Sequence, residues 1–294
     1  MSSSPHYRLV ETKNNIRAIM SLSHAIMSPS PRLLEKYAVD GRKALLIEEP
    51  ARHAGTFTPH VPGTPIVIGF AGSIDRKADV EDILRSALTK IHAEYRNKVK
   101  FIFFGAVPDF AEDLQAEVYP YCGSYEKYLQ MLDEQHWDIG LAPMPEKQFH
   151  SYKHYIKFIE YASLGIAGFF SATEPYTRLM GCDAPAIFCT NSTDAWYYAI
   201  KELLDHADRL EQMRQDAFEY ARAQFSCEKT SAILLPMLLD AAANKASTEC
   251  KGKKSYCLTL NKLLNIIHLT VLFIKKHKWN TLKMLVRKIV GKLT

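Results

Sequence analysis

The chain has 294 residues, 47% of them hydrophobic and 23% charged, and a formal net charge of +5. These are the proportions of an ordinary soluble globular protein of one large or two small domains, and no internal repeat or low-complexity block points to a solenoid or a fibre. Six cysteines, none in a C-x-x-C pair, argue against a disulfide framework or a structural zinc site and fit reduced thiols in the cytosol.

In chain order, HAIMSPSPRLLEKYAVDGRKALLIEEP predicts strand, Ser-Pro turn, short helix, glycine and strand. This single α/β unit, in residues 1–60, is too small for a domain of its own. ARHAGTFTPHVPGTP, with three prolines and two glycines, reads as a linker. From Ile66 onward, short β-rich runs alternate with longer helical ones. IVIGFAG is a strand ending in glycine, and ADVEDILRSALTKIHAEY is a helix with apolar residues at Val80, Ile83, Leu84, Ala87, Leu88 and Ile91. KVKFIFFG (strand), SYEKYLQMLDE (helix), WDIGLAP (strand), HYIKFIEYASLG (helix stopped by Gly165), IAGFFS and PAIFCT (strands) follow. Two long helices, TDAWYYAIKELLDHA and DRLEQMRQDAFEYARAQF, come next. Strand–helix alternation with nearly continuous apolar strands predicts an α/β fold with a doubly wound parallel sheet. In such a sheet, ligands bind beyond the carboxyl ends of the strands.

Two places after strands carry candidate chemistry. The first is Gly72-Ser73, followed by Arg76 and Lys77. Glycines at a strand–helix turn let backbone amides approach an anion, and the two cations add positive charge. The same residues also suit a tight turn with solvated charges. The segment lacks both the Walker lysine and the G-x-G-x-x-G pattern. The second place is HSYKHYIKFIEYASLG. On one continuous helix, Lys153, Lys157 and Glu160 share a face. The lysines could address phosphate oxygens while Glu160 accepts two hydroxyl hydrogen bonds from a ribose diol. A solvated Lys157–Glu160 pair explains the spacing equally well.

IGFAGSIDRKADVEDILRSAL, VKFIFFG, WDIGLAP and FHSYKHYIKFIEYASLGIAGFFSATEPYTRLM together resemble the C-terminal, donor-binding domain of family 4 glycosyltransferases of GT-B fold, of the bacterial surface-polysaccharide type. The matched helix pattern falls on Phe149, Lys153, Lys157, Glu160 and Tyr161, and the resemblance runs from about Ile66 to Phe225. It implies transfer of a hexosyl group from a nucleotide sugar to a saccharide or lipid-linked saccharide acceptor, without a cofactor or bound metal. It implies that Glu160 binds the ribose and that Lys153 and Lys157 neutralise the diphosphate. The Gly72-Ser73 turn with Arg76 and Lys77 would face the same phosphates, and Gly123 and Ser124 would lie near the base. No catalytic residue is assigned. Tyr152 stands where many members have a glutamate, and His150 and His154 replace the family's Asn and Ser. A histidine beside the donor could bond a phosphate or a sugar hydroxyl; a lone surface histidine is the simpler reading of either.

The resemblance leaves most of an N-terminal acceptor domain unaccounted for. It implies three parts: a remnant in residues 1–60, a sugar-nucleotide domain in 61–245 and a tail in 246–294. A partner chain would supply the acceptor half; a non-catalytic nucleotide-sugar-binding module is the alternative. Neither a pyridoxal lysine nor an NAD fingerprint supports an epimerase or a phosphorylase. After Glu249 there are eleven lysines and arginines and no acidic residue. Leu282, Leu285, Val286, Ile289, Val290 and Leu293 recur there at helical spacing, with Trp279 near the start. Such a basic amphipathic helix predicts attachment to an anionic membrane surface, hence a cytoplasmic protein at the inner face of the cell membrane. Few aromatic residues are placed for stacking on bases, so no nucleic-acid partner is expected.

Overall fold

The computed structural model describes residues 10–244, except 22, 24, 39–42 and 53–55. The expected membrane-binding tail, residues 246–294, lies outside the described residues. By its internal contacts the chain divides into units 1–237 and 238–294, and every described strand belongs to the first.

Helix α1 (Val10–Ser21) precedes strand β1 (Ala25–Ser28), helix α2 (Pro31–Tyr37) and strand β2 (Lys43–Leu46), and β1 and β2 pair in parallel as a two-stranded sheet. Ser30 caps α2 by accepting a hydrogen bond from the amide of Leu33, and Pro31 opens the helix where its missing N–H costs nothing.

The main sheet has six strands: β3 (Ile66–Gly72), β4 (Val99–Gly105), β5 (Glu117–Tyr119), β6 (Ile139–Ala142), β7 (Ala167–Ser171) and β8 (Ala186–Cys189). Their order is β5-β4-β3-β6-β7-β8, and every pairing is parallel. The doubly wound parallel sheet expected from the sequence is therefore present. Helices α3 (Lys77–Tyr95), α4 (Tyr125–Glu134), α5 (Ile156–Ser163), α6 (Thr177–Met180), α7 (Thr193–Asp205) and α8 (Ala207–Gln224) follow the strands, and α9 (Cys227–Asn244) closes the described chain.

Both faces of the sheet are covered, which explains the continuous apolar runs. In β4, Phe101 and Phe103 pack with α3 and α7 on one side, and Ile102 and Phe104 pack with Trp137 and α5 on the other, following the two-residue period of a strand. All six apolar positions singled out in α3 are buried.

The strand order reverses between β3 and β6, so a crevice opens there at the carboxyl ends. Gly105 draws the neighbouring strand ends together. Its φ is +78°, and a Cβ on it would lie 2.2 Å from the Gly72 carbonyl oxygen, so only glycine fits.

The stretch expected to be a linker is anchored at the opposite end of the sheet. Arg214, 3% exposed, donates to the carbonyls of Gly165 and Thr58 at 2.9 Å each, and pairs with Glu211 and with buried Asp138. Asp138 also accepts from the Val67 amide and contacts the His60 ring at 3.0 Å. A buried carboxylate and guanidinium keep their charges only with such partners, and satisfying them pins residues 57–60 to the domain.

Candidate functional site

A cleft of about 370 Å³ occupies the crevice where the strand order reverses. Gly72, Ser73 and Arg76 come from the end of β3, and Gly105 from β4. Pro143 and Met144 follow β6, Tyr121 and Gly123 precede α4, and Lys153, His154, Lys157 and Glu160 surround the start of α5.

Glu160 lies at the floor, 4% exposed. Its Oε1 accepts from the Tyr125 hydroxyl at 2.9 Å; its Oε2 accepts from the Tyr128 hydroxyl at 3.0 Å and from Lys157 Nζ at 2.7 Å. Lys157 also donates to the Tyr128 oxygen at 2.9 Å. Burial opposes the charge on Lys157, but Glu160 outweighs it and holds the ammonium above the usual lysine range. Burial, with Glu160 beside them, pushes the Tyr125 and Tyr128 hydroxyls far above their ordinary values. Arg52 lies over the Tyr125 ring at 5.0 Å.

Opposite this cluster, Arg76 is clamped by Asp79 at 3.2 Å and by the Pro143 carbonyl, to which it donates. Lys153 has no ion pair among the described residues; it rests over the Phe149 ring at 5.2 Å. Burial, and Arg76 after it, lowers its affinity for a proton. Two cations thus face the same cleft, only one with a carboxylate partner, an arrangement that favours an entering anion.

His154 is no surface histidine. Its side chain is 9% exposed, and Nε2 lies 2.8 Å from Glu48 Oε2, just beyond β2. Burial raises the Glu48 carboxyl, but hydrogen bonds from His154 and Tyr155 outweigh it and hold the group below its usual value. Arg178 joins Glu48 at 3.4 Å.

No protein-family model matches the chain, and no curated protein is similar to it in sequence. Solved structures are similar in fold. Sucrose-phosphate synthase from Thermosynechococcus elongatus aligns with a TM-score of 0.58 and 14% identity over 83% of this chain and 65% of that one. A mutant of TarM from S. aureus, in complex with Fondaparinux, alpha-GlcNAc-glycerol and UDP, gives 0.58 and 12% over 80% and 48%. A glycosyltransferase from Rickettsia africae gives 0.54 and 14% over 78% and 66%. The fold is that of the GT-B glycosyltransferases. The chain spans about half to two thirds of the length of these structures.

Of the residues singled out in the sequence, the cleft gathers Gly72, Ser73, Arg76, Gly123, Lys153, Lys157 and Glu160. Two others lie elsewhere. Lys77, one residue into α3, turns aside and pairs with Asp109. Ser124 caps α4 by accepting from the Lys127 amide, so its side chain serves the helix. The single helical face proposed for Lys153, Lys157 and Glu160 is also corrected. His150–Tyr152 forms a separate 3-10 turn, the chain is extended at Lys153 (ψ 171°), and α5 begins only at Ile156. The His150 ring is tied to the Pro145 carbonyl at 2.9 Å and Tyr155 is buried among Phe158 and Phe225, so the residues between span two anchors. Tyr125 and Tyr128, which line the cleft, and Glu48 and Arg52, which touch its residues His154 and Tyr125, escaped the sequence reading because each is brought there from a distant segment.

The cluster around Glu160 predicts alkaline lability. Tyr125, Tyr128 and Lys157 all keep their protons longer in the folded than in the unfolded state. Their contribution is complete below the unfolded values, about 10 for tyrosine and lysine alike, and declines as pH rises beyond them. Lys153 is shifted the other way and acts in the opposite direction. Urea midpoints should fall between about pH 9 and pH 11, less steeply for a Tyr125→Phe, Tyr128→Phe double variant. Equal slopes for the two proteins would reject the assignment.

Proposed function

We propose that the cleft binds a nucleotide sugar and that the chain is the donor-binding part of a glycosyltransferase. Its reaction passes a hexosyl group to a saccharide or lipid-linked saccharide acceptor. One observation carries this reading: at the crevice where a parallel sheet reverses its order, one buried carboxylate and three cations, Arg76, Lys153 and Lys157, converge on one cavity. Glu160 addresses the sugar of the nucleotide. Arg76 and Lys153 meet the diphosphate, and their charges stabilise it as it leaves, so the reading calls for no cofactor. That one fold-related structure is a complex with UDP supports a nucleoside diphosphate as the ligand.

A role in surface-polysaccharide assembly, a partner chain completing the acceptor side, and a cytoplasmic location at the inner membrane face through residues 246–294 belong to the same proposal.

The test separates phosphate from nucleoside. Lys153→Met leaves the Glu160 cluster intact, since Lys153 shares no hydrogen bond with it. Calorimetry with UDP, GDP and dTDP, each beside its nucleoside, should show the diphosphate losing on the order of tenfold or more in affinity and the nucleoside almost nothing. Equal losses for both would sink the phosphate assignment.

A further inference from the structure

We propose that Tyr125 and Tyr128 make the cleft indifferent to the 2′-hydroxyl of the nucleotide, so that 2′-deoxynucleoside diphosphates are accepted as readily as ribonucleoside diphosphates. The inference rests on the nucleotide reading of the cleft and deepens it to a class of donor.

The argument is a count of acceptor sites. A carboxylate offers about four lone-pair directions, two per oxygen. On Glu160 three are taken by the protein: Tyr125 on Oε1, and Tyr128 and Lys157 on Oε2. One direction remains, on Oε1. A ribose diol brings two hydroxyl donors, and both can bind only if a tyrosine gives way.

Neither tyrosine gives way cheaply. Tyr128 would lose its bond to Glu160 and the one it accepts from Lys157. Tyr125 is held by Glu160 at its hydroxyl and by Arg52 over its ring. Both hydroxyls sit where burial already opposes their ionisation, so leaving one unpaired there carries a desolvation cost. Glu160 therefore offers the ligand one acceptor. The 3′-hydroxyl, common to ribose and deoxyribose, satisfies it, and the 2′-hydroxyl has no site on Glu160.

The same geometry assigns the discrimination to Tyr125. Removing its hydroxyl frees the second direction on Oε1 without disturbing Lys157 or Tyr128. A site that can hydrogen-bond a substrate hydroxyl then disfavours the analogue lacking it.

The experiment measures dissociation constants of matched pairs, UDP against 2′-deoxy-UDP and GDP against 2′-deoxy-GDP, on the full chain and on Tyr125→Phe. For the unmodified chain the two members of the binding pair should agree within about threefold. For Tyr125→Phe the ribonucleotide should gain on its deoxy counterpart by roughly tenfold. A tenfold or greater preference for ribose in the unmodified chain would overturn the inference while leaving nucleotide binding in place. That result stands even if the variant fails to fold. A folded Tyr125→Phe with an unchanged ratio would overturn the role of Tyr125. Absence of binding by every member of both pairs would remove the nucleotide reading itself and this inference with it.

Discussion

Replacing Gly69 by alanine is expected to destabilise the domain by about 3 kcal/mol, toward the upper end of overpacking costs in a close-packed core. A Cβ at this position would lie 2.1–2.2 Å from three atoms of the Trp137 indole. The indole cannot retreat. It is 1% exposed and packed against Phe104 and Tyr161, with ring centroids at 5.6 and 6.1 Å. Gly69 pairs with Gly140 across β3 and β6, so the missing side chains make room for a large aromatic layer over the strands beneath the cleft. Urea denaturation measures the loss. Trp137→Leu, itself destabilising, should recover part of it in the double variant, because the clash then disappears. Strict additivity of the two changes would show that the indole is not what Gly69 accommodates.

The second large effect is expected at Glu160. Glu160→Gln should cost roughly 2–4 kcal/mol of stability and lower nucleotide affinity as well. The amide keeps the shape of the carboxylate but not its charge, so Lys157, 22% exposed at its side chain, loses the partner that holds its ammonium charged. The amide nitrogen also cannot accept from a tyrosine or lysine as the carboxylate oxygen does. Lys153 predicts the opposite sign. Its charge is disfavoured by burial and by Arg76, so neutral replacements should not weaken the ligand-free fold. A Glu160→Gln protein as stable as the unmodified chain would deny the carboxylate its place in the core of the site. One that is destabilised yet binds nucleotide with unchanged affinity would confine Glu160 to a structural role.

What could be read from the sequence was local. The alternation of Phe101 and Phe103 with Ile102 and Phe104, and the stripe from Val80 to Ile91, reflect the periods of a strand and a helix, which neighbouring residues alone determine. From these came the parallel sheet, and from its geometry the places after strands where Gly72, Arg76, Lys157 and Glu160 were sought. The three-residue strand β5 was missed because so short a segment has no period to recognise. Residues 51–65 read as a linker because their proline and glycine content is visible, while Asp138 and Arg214, which hold His60 and Thr58 within that stretch, lie 78 and 156 residues away from them. Neighbours in sequence also separated in space: Arg76 entered the cleft, and Lys77, one step of about 100° further round, left it for Asp109. Only the tertiary structure decided that Tyr125 and Tyr128, 35 and 32 residues from Glu160, fill most of its acceptor capacity. No pattern along the chain encodes that meeting, because it depends on how α4 and α5 are placed by the strands before them. Hydrogen-bond saturation is a property of three-dimensional distance rather than of spacing in sequence.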